Sequence, residues 1–429
     1  MSKHLETLSL HEGQTIDPTT GSRTVPIYQT TSYVFNNTDH AANLFGLKEF
    51  GNIYTRIMNP TTDVLEKRVT SMEGGSSGVC TASGMSAIFL GIITTLSAGD
   101  HLITSSSLYG GTDTLFRHTL PKMGISVDFI ENLTAEKLKS TIKDNTRLVF
   151  FETVGNPKGD VLDIKAICDE AHKHNLPVMV DNTFAPGLCK PIEHGVNIVV
   201  HSLTKWIGGH GTSIGGILID GGNFNWGNGK FYEFTDPDPR YHGLELWNTF
   251  GNFPEAGNIA FAIKARVQGL RNIGMSLSPN NAFYFLQGME TLPLRMKKHI
   301  SNAIQLSDWL KNNPKIDWVN YTGLSEHPSH EHCKKYLNNQ FPSVFTFGVK
   351  GGYEAGKSFI ENVKLASHLA NVGDAKTLVI HPSSTTHSQL GEPEQKAAGV
   401  TPDMVRVSVG LEHIEDIKAD FDQALSQYS

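Results

Sequence analysis

Between residues 61 and 255, short apolar segments alternate with segments of helical spacing. The apolar segments include DHLITSSS, TRLVFFETVG, PVMVDNTF, VNIVVHSLTK and SIGGILID, and helix-like segments such as SGMSAIFLGIITTLSAG and DIKAICDEAHKHN lie among them. Strands with nearly continuous apolar cores, separated by helices, are typical of a mainly parallel sheet that helices cover on both faces. We therefore expect an α/β fold in this region.

The regions before and after this alternating region have a different sequence pattern. Residues 1–60 contain many turn-forming residues and show no clean periodicity, which predicts an extended N-terminal arm with short helices. Residues 256–429 combine helical segments with a few strand-like ones, such as SVFTFGV and MVRVSVG, which is typical of a smaller α+β domain. A chain of 429 residues is long enough for two or three domains.

Charge and composition limit which kinds of binding partner and which cellular compartment the sequence suits. The formal net charge of -7, without any basic run, argues against a nucleic-acid partner. The four cysteines form no C-x-x-C pair and no disulfide framework, which fits a reducing compartment. No apolar run reaches about 18 residues, and the N-terminal segment lacks the apolar core of a signal peptide. We expect a cytoplasmic protein without a membrane span.

Two ionisable residues end predicted strands. Lys205 follows the apolar segment VNIVVHS, and burial there would lower the pKa of its amine toward the neutral, nucleophilic form. Asp181 ends the segment PVMVD, where a carboxylate needs a cation such as the pyridinium nitrogen of pyridoxal phosphate. Taken alone, the position of Lys205 slightly favours a surface lysine, and the alternative for Asp181 is a cap of the following turn.

Several short motifs are compatible with a phosphorylated, planar ligand. The segment SGMSAIF opens an apolar helix at Gly84, so that free backbone N–H groups can meet an anion, although ordinary N-capping explains it as well. The hydroxyl groups of Ser202 and Thr204 flank Lys205. Tyr109, in SLYGGT, can stack on a planar cofactor or simply pack in the protein.

The segment YTRIMNP carries Tyr54 and Arg56 at alternate positions. If this segment is extended, both side chains point the same way and can bind a phosphate group together. Alone, this pair of residues indicates little.

In combination and in this order, the motifs are specific. They are YTRIMNPT, SGMSA, SLYGGT, ETVGNP, VDNTF, HSLTKWIGGHGT, NVGDAKTLVIHPSSTTH and VRVSVGLE, and they run from about residue 20 to about residue 415. With them, the chain resembles the PLP-dependent enzymes of Cys/Met metabolism, which share the aspartate-aminotransferase-like fold. The resemblance implies a large domain with a mainly parallel seven-stranded sheet and a smaller C-terminal α+β domain, in a homo-oligomer that is a tetramer built as a dimer of dimers. The implied division is an arm at 1–60, a cofactor-binding domain at 61–255 and a small domain at 256–429.

The resemblance also implies roles for individual residues. Lys205 would carry the cofactor pyridoxal 5′-phosphate (PLP) and serve as acid and base, while Tyr109 would stack on the cofactor ring and assist proton transfer. The other implied cofactor-binding residues are Tyr54 and Arg56, acting on a neighbouring subunit's cofactor, and Gly84, Met85, Asn156, Asp181, Thr183, Ser202 and Thr204. Arg406 would bind the substrate carboxylate, and Thr377 would help to place it. No metal is implied.

Within the family, the run TKWIGGHGTSIGG is similar to the O-acetylhomoserine sulfhydrylase branch, and to its fungal-type enzymes most of all. Gly111 stands where methionine γ-lyases commonly carry cysteine, and Lys376 stands where several relatives carry glutamate. This likeness implies a transferase of methionine and cysteine biosynthesis, which converts O-acetyl-L-homoserine and sulfide to L-homocysteine and acetate. The alternatives are cystathionine γ-synthase, γ-lyase or O-acetylserine sulfhydrylase activity and, from another class, a binding protein without catalysis.

Two histidine-containing segments are set aside as sites. His327, His330, His332 and Cys333 lie together in SEHPSHEHC, but no second ligand cluster accompanies them, so we expect a solvated loop and not a metal site. We expect His381 and His387, in HPSSTTH, to stabilise a loop near the substrate carboxylate.

Overall fold

The larger part of the chain is organised around a seven-stranded sheet. The computed structural model describes residues 3–386, 388, 391, 395 and 399–428. The strands of this sheet are β1 (Ser77–Thr81), β2 (His101–Ser105), β3 (Ser126–Ile130), β4 (Thr146–Glu152), β5 (Val178–Asp181), β6 (Ile198–Ser202) and β7 (Gly216–Asp220). Their spatial order is β1-β7-β6-β5-β4-β2-β3, and β7 runs antiparallel to both of its neighbours while the other pairs are parallel. The predicted α/β fold with a mainly parallel seven-stranded sheet is confirmed.

Helices cover both faces of this sheet. The helices up to the end of this region are α1 (Leu5–His11), α2 (Thr38–Phe45), α3 (Pro60–Glu73), α4 (Gly84–Thr95), α5 (Gly110–Thr114), α6 (Ala135–Thr141), α7 (Ile164–Lys173), α8 (Tyr232–Thr235), α9 (Leu246–Phe250), α10 (Ala260–Lys264), α11 (Arg271–Ile273) and α12 (Pro279–Glu290). Successive strand residues point to opposite faces, so Phe150 packs with the α4 side and Phe151 with the α3 side. Because both faces are buried, the strands read as continuous apolar runs.

A five-stranded sheet organises the C-terminal part. Its strands are β8 (Ile316–Asn320), β9 (Val344–Val349), β10 (Ser367–His368), β11 (Leu378–Ile380) and β12 (Met404–Ser408), in the order β10-β11-β12-β9-β8. The accompanying helices are α13 (Leu292–Lys311), α14 (His330–Tyr336), α15 (Gly352–Asn362) and α16 (Ile414–Leu425). Phe347 of β9 packs on Phe359 of α15 and Phe421 of α16, which joins the helices to the sheet in a second core.

The predicted boundary near residue 255 falls before helices that pack with the first sheet. Helix α10 contacts β1 and β7, and α12 contacts α3. These contacts favour a boundary after Glu290, at the start of the long helix α13, and the exact division of the chain stays a prediction. In the described part of the chain, no helix is both long enough and apolar enough to cross a membrane.

Candidate active site

The carboxyl ends of β4, β5 and β6 open into a cavity of about 250 Å³. Its wall combines strand ends of the large sheet with residues from the C-terminal part. The residues that line it are Ser83, Gly84, Met85, Ile88, Tyr109, Glu152, Val154, Asn156, Asp181, Thr183, Phe184, Ser202, Thr204, Lys205, Ile214, Ala370, Asn371, Val372 and Arg406. Ligands of open α/β sheets bind at this edge, so this cavity is the candidate active site.

Lys205 lies on the turn that follows β6, and hydrogen bonds fix the backbone of that turn. The Lys205 N–H donates to the Ser202 carbonyl over 3.2 Å, and the Gly209 N–H donates to the Lys205 carbonyl over 2.7 Å. Gly209 has a φ of +72°, and a β-carbon there would overlap with the guanidinium of Arg295. Arg295 in turn donates to the carbonyl oxygens of Trp206 and Ile207 over 2.7 and 3.3 Å. Glycine at position 209 therefore leaves room for buried Arg295 to hydrogen-bond to the turn that carries Lys205.

The Lys205 side chain enters the cavity, where its Nζ donates a hydrogen bond to Oδ1 of Asn371. Burial lowers the pKa of Lys205 to about 8; the nearby Arg406 guanidinium contributes, and Asp181 opposes the shift. The structure thus places Lys205 as a cavity residue and not as an exposed surface lysine. A substantial fraction of its amine is neutral near pH 8, which is the form that can act as nucleophile or base.

Two carboxyl groups lie side by side at the floor of the cavity, because Glu152 of β4 pairs in register with Asp181 of β5. Burial raises the pKa of Asp181, although the N–H of Thr183 donates to its Oδ1 over 2.9 Å. Burial, and then the charge of Asp181, raise the pKa of Glu152 well above its usual value. A cationic group of a ligand beside Asp181 would stabilise its carboxylate form.

The N-terminus of α4 forms one end of the cavity. Ser83 caps this twelve-residue helix by accepting the Ser86 N–H over 3.1 Å, and the N–H groups of Gly84 and Met85 lie in the first turn, where a helix supplies no acceptor of its own. A β-carbon at Gly84 would lie 2.7 Å from Cβ of Ser202, so glycine lets the helix end approach β6 closely. This end of the cavity suits a phosphate group.

Arg406 of β12 reaches the cavity from the second sheet. Its guanidinium donates to Oδ1 of Asn156 over 3.3 Å, and burial lowers its pKa to about 10. Among the described residues, Arg406 bonds to Asn156 and to the Asn371 backbone oxygen and forms no ion pair, although a cation removed from water is ordinarily paired. A substrate carboxylate is the partner that this geometry suits.

Three predicted site residues do not line this cavity. Tyr54 and Arg56 lie in the exposed arm, with the guanidinium 5.3 Å from the centre of the tyrosine ring. Thr377 is buried, and its hydroxyl donates to Oε2 of Glu412 over 2.8 Å and accepts the Gly410 N–H. Thr377 therefore braces the end of β12 and lies away from the cavity.

The structure adds cavity residues that the motifs did not single out for a role. Glu152 has the same local signal as Asp181, namely an acid that ends an apolar strand, and that signal could have found it. Asn371 had no such signal, because its contact with Lys205 joins positions 166 residues apart.

The expectation of a solvated loop for the segment SEHPSHEHC is wrong, because its last four residues begin helix α14 and Cys333 is buried. His330 and His332, on α14, bond through Nδ1 to the carbonyl oxygens of Thr322 and Val161, each over 2.8 Å. His381 is buried, and its ring bonds to the Pro402 carbonyl and to Ser384, whereas His387 lies outside the described residues. Within the described ranges, no group of three or more His, Cys, Asp or Glu side chains is arranged to hold a metal ion.

Comparisons with known proteins agree with this geometry. A family model described as "Cys/Met metabolism PLP-dependent enzyme" matches residues 6–426. An O-acetyl-L-homoserine sulfhydrylase of Leptospira meyeri is 57% identical over 98% of this chain and 96% of its own length. A homocysteine synthase of Schizosaccharomyces pombe is 50% identical over 99% and 98%.

A solved structure is similar along its whole length. The crystal structure of a putative O-acetylhomoserine (thiol)-lyase from Campylobacter jejuni has a TM-score of 0.94 and 41% identity, and the match covers 99% of this chain and 100% of that one. That structure is described with N′-pyridoxyl-lysine-5′-monophosphate at position 205.

Proposed function

Because the chain belongs to the family of Cys/Met metabolism PLP-dependent enzymes, we propose that it exchanges the acetoxy group of O-acetyl-L-homoserine for sulfide. The products are L-homocysteine and acetate. The names of the similar proteins support the substrate pair. The observation that carries the proposal is the cavity itself, which brings together Lys205, Asp181 and Arg406. They supply an amine of lowered pKa, an acid for a cationic ring nitrogen and, for the carboxylate of an amino acid, a cation that forms no ion pair with the residues the structure describes.

The cofactor is pyridoxal 5′-phosphate, and the donor set of the cavity fits it. Lys205 would hold the aldehyde carbon, Asp181 the ring nitrogen, and the α4 N-terminus with Ser202 the phosphate. The close approach of Gly84 to Ser202 brings the Ser202 side chain to the helix end, so that both can contact the phosphate. When bound, this cofactor supplies an electron sink that stabilises negative charge at carbon atoms of the substrate.

Lys205 is the group that moves protons. Its amine, whose pKa burial lowers, can remove the proton from Cα of the substrate and return it later. Asn371 accepts a hydrogen bond from this amine and therefore holds it inside the cavity. Asn371 also accepts a hydrogen bond from Arg406 through its backbone oxygen over 3.5 Å. One residue thus contacts both the base and the carboxylate receptor.

Arg406 and Tyr109 orient the substrate. Arg406 binds the substrate carboxylate with the planar fork of its guanidinium. Tyr109 lies at the mouth of the cavity with half of its side chain exposed, where its ring can cover the cofactor. The side chains of Phe184, Ile214 and Val372 supply apolar wall. The acetoxy group leaves at Cγ, and sulfide attacks the same carbon.

Product analysis tests the proposal. Purified enzyme with PLP is given O-acetyl-L-homoserine together with sulfide, with cysteine, or with neither, and homocysteine, cystathionine and 2-oxobutanoate are quantified. We expect homocysteine with sulfide as the main product. Predominant cystathionine would indicate a cystathionine γ-synthase, and predominant 2-oxobutanoate without a thiol would indicate a γ-lyase. Lys205→Ala should abolish turnover, and substantial turnover by that variant would contradict the assignment.

We further propose that the working unit is an oligomer in which Tyr54 and Arg56 serve a neighbouring subunit. Both residues are exposed and lie outside the cavity of their own chain, on an arm that also exposes Ile27, Val34 and Phe50. Lys205→Ala and Arg56→Ala variants, each inactive as a pure protein, should regain part of the activity when mixed subunits assemble. No recovery in verified mixed assemblies would contradict this proposal. A tetramer and a cytoplasmic location stay predictions.

A further inference from the structure

Tyr109 is placed by its backbone more than by packing around its ring. The residue lies at the end of the segment Ser107–Tyr109, between β2 and α5, and half of its side chain is exposed. A β-carbon at Gly111 would lie 2.6 Å from Cε1 of Tyr109, so the ring rests against the bare backbone of Gly111. The position of the ring therefore depends on what holds the Ser107–Tyr109 segment.

Two carboxyl groups hold that segment, one at each end. The Tyr109 N–H donates to Oε1 of Glu152 over 2.6 Å, and the Ser107 hydroxyl donates to Oδ1 of Asp160 over 2.5 Å. Gly155 lies between these contacts, and a β-carbon there would overlap with both the Asp160 carboxylate and the Ser107 hydroxyl. The segment Ser107–Tyr109 and the loop after β4 are thus in close contact and hydrogen-bonded to each other.

The loop that carries Asp160 is itself anchored to the C-terminal part of the chain. The Val161 N–H donates to Oγ of Ser329 over 3.1 Å, and the Val161 carbonyl accepts from the His332 ring over 2.8 Å. The side-chain amide of Asn320 donates to the Lys158 carbonyl over 2.8 Å. The position of Asp160 is therefore fixed by these contacts, and two of them come from Ser329 and His332 of the segment SEHPSHEHC.

We propose that Asp160 and Glu152 are positioning residues that hold the Tyr109 ring over the cavity, through the Ser107 hydroxyl and the Tyr109 N–H. The proposal rests on the proposed function, in which the ring stacks on the cofactor. Asp160 is not among the residues that line the cavity. Its loss should therefore leave the cofactor attached to Lys205 and disturb only how the ring meets it.

A double-mutant cycle on the Ser107–Asp160 contact provides the main test. The holoenzymes of Ser107→Ala, Asp160→Ala and the double variant are compared with wild type in kcat, in KM for the amino-acid substrate, and in the visible circular dichroism of the bound cofactor. Asp169→Ala is the matched control, because Asp169 is an exposed carboxylate that pairs with Lys165 on α7. We expect each single variant to lose about tenfold in kcat, with weaker cofactor dichroism, full cofactor content and unchanged KM. The double variant should lose no more than the worse single variant.

Conservative variants separate positioning from general destabilisation. Asp160→Asn keeps an acceptor oxygen and should retain most of the kcat and dichroism that Asp160→Ala loses. Because Glu152 also lines the cavity, Glu152→Gln and Glu152→Ala are compared by dichroism alone, which should weaken only in the alanine variant. Wild-type kcat and dichroism in the alanine variants would overturn the proposal, and so would additive losses or losses that follow cofactor content. The dichroism does not depend on which product forms. If wild type makes no homocysteine, the proposed function fails, whereas the dichroism still decides whether Tyr109 is positioned by these contacts.

Discussion

At the scale of single residues, the chemistry depends on two cations that share one cavity. Lys205 and Arg406 are both half-buried there, and Arg406 helps to lower the pKa of the lysine to about 8. Asp181 acts in the opposite direction on the same amine. The reactivity of Lys205 is therefore set by a balance of neighbours that come from different sheets.

This balance predicts the pH dependence of cofactor capture by the cofactor-free enzyme. Capture needs the neutral amine, so its rate constant should rise with pH and level off above a midpoint near 8. At pH 7, a lysine of pKa 10.5 would have a roughly 300-fold smaller neutral fraction. Arg406→Gln should move the midpoint up, and Asp181→Asn should move it down. Stopped-flow absorbance measures the rate, and a wild-type midpoint near 10 would contradict the prediction.

At the scale of elements, the turn after β6 positions Lys205 because Arg295, on the long helix α13, donates hydrogen bonds to carbonyl oxygens of that turn. The sequence alone indicated the glycine run but not its partner, since Arg295 lies about 90 residues downstream and its pattern resembles that of any helical arginine. Likewise, Thr377 belongs to a matching motif, but the structure engages its hydroxyl with Glu412. Motifs therefore located the segments, whereas the side-chain partners depended on contacts between distant elements.

Substituting two left-handed glycines separates strain from function. Gly209 and Gly74 both have positive φ, at +72° and +76°, but only a β-carbon at Gly209 would meet another side chain, that of Arg295. Alanine at either position should cost about 1 kcal/mol or more in the free energy of unfolding. Only Gly209→Ala should also weaken cofactor binding and lower kcat, because it displaces the Lys205 turn. Denaturant unfolding and cofactor titration measure the two effects, and equal cofactor affinity in both variants would contradict this reading.

At the scale of the whole molecule, the strand alternation predicted the large sheet well. Its continuous apolar strands arise from burial on both faces, which a sequence displays directly. The division of the chain could not be predicted as well, because α10 and α12 follow the alternating region in sequence yet pack with its elements, α10 on β1 and β7 and α12 on α3. The sequence also did not predict which side chains of the two sheets contact each other, because local periodicity carries no information about contacts between distant segments.

The cofactor should stabilise the folded chain, since the residues that would hold it come together only in the folded cavity. At a concentration about 100 times its Kd, a ligand that binds only the folded state adds about 2.7 kcal/mol. The Tm of wild type should therefore rise with cofactor concentration. Lys205→Ala, which keeps the phosphate end of the cavity but lacks the covalent anchor, should show a smaller rise at equal concentration. Differential scanning calorimetry measures both curves, and identical rises would mean that Lys205 adds nothing to binding.

The hydrogen bond between Lys205 and Asn371 joins positions 166 residues apart, and it has a consequence for the growing chain. During synthesis, Lys205 leaves the ribosome long before Asn371 and Arg406 exist to surround it. Until then its amine is an ordinary protonated lysine, which reacts poorly with free aldehydes. The chemical reactivity of Lys205 is thus acquired late, because part of its surroundings is synthesised after it.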